Sequence, residues 1–214
     1  MEESSSEAAA SRLTARGAKT RSRIIATAAD LMRVRGVGGT TLDDVVVASN
    51  VSKSQLYRHF EDKQALVRAV IELVGERTIA VERERLSKVM TFSGLRRWRD
   101  ALVENNALQE GRYGCPLGSL ANEVADQDST ARKKLQDLFF AWQDLFEDLL
   151  RRFQKAGVIP QEADVSQLAM GLLAAVQGGY LLAQASRDVT PIASAIDMAL
   201  AHLRTLDSKR YAAS

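Results

Sequence analysis

From Ser129 to Ala156 an apolar residue recurs every three or four positions, with no Gly or Pro in the interval. Leu135, Leu138, Phe139, Trp142, Leu145, Phe146, Leu149 and Phe153 therefore share one wide stripe of a helix. A strand alternates with period two and cannot hold such a stripe on one face. Gly157 and Pro160 end the pattern. Asp164 then caps a segment to Ser186 that is apolar nearly all round, and Thr190-Pro191 opens a last helix lined by Ile192, Ile196, Leu200 and Leu203. The 214 residues include only 3 Pro and no long period-two run of β-branched residues. The reading is an all-α fold of about nine helices.

Composition closes off several classes. A single Cys excludes an intrachain disulfide. Two His far apart, with that Cys, leave no metal site, so no metal and no cofactor are expected. No Ser/His/Asp set or phosphate loop can be assembled, which argues against an enzyme. The N-terminus, MEESSSEAAAS, lacks the apolar segment of a signal peptide. No run of about 18 uncharged apolar residues is read as a bilayer span. The expectation is a cytoplasmic protein with no membrane partner.

Charge is placed unevenly. Residues 12–63 carry ten Lys/Arg against five Asp/Glu, whereas residues 64–214 carry 19 of each sign. A local excess of this kind is what phosphate attraction requires. Residues 1–18 read as a disordered arm. Arg12, Arg16, Lys19 and Arg21 make it either a basic arm beside DNA or a solvated tail.

The segment Thr40 to Lys63, TTLDDVVVASNVSKSQLYRHFEDK, lies in the basic region. A first helix, Thr20 to Arg35, ends at Gly36, a residue suited to the left-handed C′ position. Thr40 or Thr41 caps a second helix that ends near Ala48, with Leu42, Val45 and Val46 inward and Asp43 and Asp44 at the positive end of its dipole. Asn50 occupies a turn position where φ is expected to be positive, and Val51 plugs the core. Ser52 caps a third helix, Lys53 to Phe60, with Leu56 and Phe60 inward at i and i+4. Its outer faces carry Lys53, Ser54, Gln55, Tyr57, Arg58 and His59, all hydrogen-bond donors. Two short helices about such a turn form a helix-turn-helix, whose second helix enters the DNA major groove. Lys53, Ser54 and Gln55 lie in its first turn and are placed to reach base edges: Gln can read adenine and Lys guanine. Tyr57, His59, Lys63 and Thr41 are placed to hold phosphates, and Arg58 can do either.

These residues resemble the TetR family of transcriptional repressors. The likeness runs over residues 20–70, through Thr-Thr-Leu-x-x-Val and then Val51-Ser52-x-x-x-Leu56-Tyr57-x-His59-Phe60-x-x-Lys63-x-x-Leu66. Asn50 and Ser54 depart from it where Gly is usual, and Ser54 can change base preference. The resemblance implies a helix-turn-helix domain over 19–66, a ligand-binding and dimerisation domain over 67–207, and a tail at 208–214. It further implies a homodimer through the last two long helices, Asp164–Ser186 and Thr190–Leu206. The partners would be double-stranded operator DNA and a small, largely apolar effector that releases it; repressor and activator roles both stay open. A second segment, Gly114-Cys115-Pro116-Leu117-Gly118-Ser119-Leu120-Ala121-Asn122-Glu123, resembles a GCxxGxLxxE signature in one branch of the family.

Candidate ligand residues in the second region are Trp98, Leu102, Asn106, Tyr113, Cys115, Trp142, Phe146, Met170, Val176, Gln177 and Tyr180. They combine apolar walls with a few polar handles. Core packing is the competing reading of each. Cys115 beside Arg112 is either a reactive thiol or a small buried hydrophobe. The Gly178-Gly179 pair marks either a close approach of helices across a dimer or a kink that makes room for a ligand.

Overall fold

The computed structural model describes residues 2–207, with side-chain environments from residue 15 onward. The expected tail at 208–214 lies outside the described residues. Nine α-helices and no strand are present among them: α1 Glu2–Arg35, α2 Leu42–Ser49, α3 Lys53–His59, α4 Lys63–Ser87, α5 Phe92–Ala107, α6 Pro116–Val124, α7 Ser129–Lys155, α8 Val165–Ser186 and α9 Thr190–Thr205. The described residues fall into two compact units. The first runs to Val74 and includes Glu123–Lys134; the second comprises Gly75–Asn122 and the chain from Leu135 onward.

In the first unit α1 packs on α2 and α3. Ile24, Ala28, Met32, Val45, Leu56, Phe60 and Leu66 are buried there. The disordered arm expected at 1–18 is helical backbone from Glu2 in the structure. Residues 2–16 contain no Gly or Pro and are rich in Ala, Glu and Arg, so nothing in them breaks a helix.

In the second unit α8 packs along α9, and α5 also lies on α9. Trp98, Leu102, Trp142, Phe146, Leu149, Phe153, Ile192 and Ile196 fill its core. Thr91 caps α5, accepting from the Gly94 N–H at 3.1 Å. At α9 the Asp188 carboxylate accepts both the N–H and O–H of Thr190, at 2.9 and 2.8 Å, so the capping side chain precedes Thr190. Contrary to the sequence reading, the 22 residues of α8 are long and apolar enough to cross a membrane by length and composition. One face of α8 is buried within this unit through Ala169, Leu172, Val176, Gly179 and Ala183.

Gly179 is a close-approach residue: a Cβ built there would lie 2.8 Å from the Ile192 Cα. The helix it admits is α9 of the same chain, which is neither of the arrangements expected for the glycine pair. Gly178 faces open space.

Candidate nucleic-acid interface and ligand cavity

Local chemistry fixes the third helix tightly. The Ser52 Oγ accepts from the Gln55 N–H at 3.2 Å, and Gln55 Oε1 accepts from the Ser52 N–H at 2.8 Å. This reciprocal capping box satisfies two donors that the helix start would otherwise leave open. A second box opens α2, where Thr41 exchanges bonds with Asp44. Between them Asn50 takes φ 51°, as its turn position requires, and Val51 is buried. Leu56 and Phe60 are 0% and 3% exposed, while Lys53, Ser54, Gln55, Tyr57 and Arg58 all face solvent. The inward and outward faces of α3 are therefore those the sequence specified.

Several expected contacts are already engaged within the protein. The Lys53 Nζ lies 2.8 Å from Asp43 Oδ1, and this hydrogen bond holds the lysine above its ordinary range. The Ser54 and Ser52 hydroxyls are 3.0 Å apart. Thr41 uses its N–H and O–H on Asp44, at 2.9 and 2.6 Å, so it builds the α2 start and has no donor left for a phosphate. The same hydroxyl bond is the main reason the Asp44 carboxyl is lowered. Lys63 opens α4, where Asp62 caps by accepting from the Ala65 N–H at 2.6 Å. His59 is half-buried. Arg21, assigned to the arm, stacks over the Phe60 ring at 5.3 Å.

One residue of this unit lay outside the DNA-binding assignments. The Glu123 carboxylate at the end of α6 accepts from the backbone N–H groups of Val37, at 2.7 Å, and Gly38, at 3.1 Å. Gly36, at φ +75°, passes so close that an added Cβ would sit 2.9 Å from a Glu123 oxygen. Glu123 thus clips the turn that leads into α2. It is the last residue of the GCxxGxLxxE segment.

A cavity of about 300 Å³ lies in the second unit. Of the expected ligand residues it brings together Cys115, Gln177 and Tyr180. α6 adds Gly118, Ser119, Ala121 and Asn122, α7 adds Phe139, and α8 adds Gly178, Leu181 and Gln184. These lay outside the expected set because periodicity does not say which faces of α6, α7 and α8 meet around one space. Pro116, a favoured first-turn residue, opens α6 and so places Gly118 and Ser119 on its first turn. Trp98, Leu102, Trp142, Phe146 and Val176 are packed core and do not line the cavity. The Trp98 Nε1–H donates to buried Glu82 at 2.9 Å, and its ring meets Phe146 edge-on. Asn106 is buried and donates to the Leu102 carbonyl. Tyr113, at φ 69°, offers its carbonyl to the Ser119 hydroxyl. Met170 is 56% exposed on the outer side of α8, away from the cavity. Its place in the apolar helix suggested burial, but the helix turns that face outward.

Cys115 is 4% exposed, and burial pushes its thiol up, away from the thiolate. Arg112, the cation expected to favour ionisation, is paired with Glu110 at 2.8 Å. The geometry favours the buried small hydrophobe over the reactive thiol.

Comparison with known proteins agrees with both units. Residues 24–70 match the model for bacterial regulatory proteins of the tetR family. Residues 92–198, half of the chain, match the C-terminal domain of LmrA/YxaF-like transcriptional regulators. The chain is 28% identical to the HTH-type transcriptional repressor DhaR of Mycobacterium sp. (strain GP1), over 74% of this chain and 79% of that one. It is 26% identical to the HTH-type transcriptional regulator LmrA of Bacillus subtilis, over 81% and 90% respectively. The fold is shared with a cysteine mutant of the regulator CifR solved on 26 bp operator DNA, with a TM-score of 0.72 at 19% identity and coverage of 84% and 94%. A capped helix-turn-helix in one unit, a helical C-terminal unit, and matches to both parts place this chain in the TetR family of DNA-binding transcriptional regulators.

Proposed function

We propose that the protein is a cytoplasmic homodimeric repressor that holds a palindromic operator and leaves it when a small effector fills the cavity of the helical unit. The observation that carries this reading is α3, where five solvent-facing polar residues stand on a helix anchored by buried Leu56 and Phe60. Lys53, Ser54 and Gln55 read bases. Tyr57, Arg58, His59 and Lys63 hold the backbone.

Dimerisation is supported by the outer face of α8. Met170, Gly171, Ala174 and Leu182 are exposed and share one side of the helix, clear of the cavity lining. Met198 of α9 is 74% exposed as well. A side chain added at Gly171 meets nothing within the chain, which leaves space for a partner helix. One α3 contacts too few base pairs for strong specificity, and a second copy supplies the other half-site. The repressor role draws on DhaR, which is named a repressor.

The test is selection of duplexes from a random pool by the purified full chain. A two-fold symmetric sequence should be enriched, with half-sites about one helical turn apart. Enrichment of unrelated or asymmetric sequences would count against the dimeric reader. A reporter behind the selected operator should fall when the protein is expressed; a rise would make it an activator.

A further inference from the structure

The cavity has a chemical character that narrows its ligand. We propose that it takes an uncharged compound bearing an acceptor oxygen, a carbonyl above all, and that Gln177 Nε2 is the donor that selects it. This rests on the cavity being the effector site of the proposed function.

None of the residues lining the cavity is Asp, Glu, Lys, Arg or His. The two that can ionise, Cys115 and Tyr180, are both pushed up by burial and stay neutral at physiological pH. An ionised ligand would lose its hydration here and find no countercharge. The walls are not purely apolar either, because Ser119, Asn122, Gln177 and Gln184 all face the space.

Among these groups one donor stands out. Gln177 Nε2 is buried, and what it meets within the protein is the Cys115 sulfur, a weak acceptor that leaves the amide without a full hydrogen bond. The amide carbonyl lies beside Gly118, where a Cβ would come within 3.0 Å of Oε1. Glycine at 118 therefore gives the amide room to sit in the cavity wall. Of its neighbours in the wall, the Ser119 hydroxyl is engaged, donating to the Tyr113 carbonyl, and the Tyr180 oxygen accepts from Asn106. A buried N–H left with only a weak sulfur acceptor is costly, and an oxygen acceptor on the ligand removes that cost. A site of this kind rejects the analogue that lacks the acceptor more strongly than the size difference would.

Three probes of one shape separate the possibilities: methyl benzoate, benzoate and propylbenzene. Each is titrated calorimetrically into the full-length protein at neutral pH, and into Gln177→Leu. The ester should bind about tenfold tighter than the hydrocarbon, with benzoate weakest. In Gln177→Leu that preference should fall to about onefold while propylbenzene still binds, which also shows that the cavity persists. Benzoate binding as tightly as the ester would overturn the proposal, as would an unchanged preference in Gln177→Leu. Absence of binding by all three probes would overturn it too. Operator release is measured alongside. An ester that binds as expected yet leaves the DNA complex intact would refute effector control while leaving the ligand assignment standing.

Discussion

Replacing Glu123 sets two physical effects against each other. Removing a negative charge from the basic unit should, by Coulomb attraction alone, tighten DNA binding. Removing the clip should weaken it. The carboxylate takes two backbone N–H groups, and a bond to a charged acceptor contributes about 1.5–3 kcal/mol. Gly38 is exposed and its N–H can turn to water, so that bond counts for little. Val37 is 9% exposed, and its N–H loses most of its alternatives. Glu123→Ala should therefore destabilise the first unit by about 2 kcal/mol. Glu123→Gln retains an acceptor oxygen and should cost about 1 kcal/mol. The turn they hold leads into Thr41 and the α2 cap. If part of that order must be regained on DNA, operator affinity drops by up to about tenfold per 1.4 kcal/mol. Urea denaturation reads the first quantity, and fluorescence anisotropy with a labelled operator reads the second. The expected order of affinity is wild type, then Gln, then Ala. Equal tightening in both variants would refute the clip and leave only the charge.

Four further outcomes are expected. Gln55→Ala should lose discrimination at one base pair, about 1–3 kcal/mol; Gln55→Glu keeps the capping acceptor and should alter base preference with little change in stability, so a uniform loss across sequences in a binding titration would contradict a reading role. Lys63→Ala should weaken all sequences alike and lower the salt slope by about one unit. On alkaline titration Cys115 and Tyr180 lower stability: both are neutral in folded and unfolded chains at pH 7, but above about 8.5 for the thiol and about 10 for the phenol the unfolded chain sheds protons the folded chain keeps. Cys115→Ala and Tyr180→Phe should flatten that decline in urea melts, and an unchanged slope would deny the burial. Gly179→Ala should destabilise by about 1–3 kcal/mol, because the Ile192 backbone cannot give way, whereas Gly178→Ala should be neutral or gain up to about 1 kcal/mol of helix propensity in thermal melts.

The helix-turn-helix was readable because its determinants are local. Asn50, Val51, Ser52, Leu56 and Phe60 act within a few residues of one another, and a pattern of that length records the geometry. Even there the box partner Gln55 was overlooked, although Ser-x-x-Gln is its spacing. The cavity was readable only in part. Gln177 and Tyr180 were among the candidates named from their residue type and place in the apolar helix, but Phe139 and Gln184 join them only because α7 and α8 bring these particular faces together. Periodicity marks a face as apolar without saying what it meets. Met170 shows the same limit, since an outward apolar face and an inward one look alike in sequence. Glu123 closes a recognisable motif, yet its partners lie 86 and 85 residues away. No local rule reaches that far.

The two tryptophans have an optical consequence. Trp98 and Trp142 are both buried, and both belong to the second unit. Trp98 is tied through its indole N–H to Glu82, whereas the Trp142 indole N–H has no partner. The unit that carries α3 contains no tryptophan. Intrinsic emission excited at the red edge of indole absorption therefore watches the helical unit alone. A titration with a small molecule can be followed in the native protein without a dye. Occupation of DNA needs a label on the duplex. The two signals can be recorded from one cuvette, in order, without either contaminating the other.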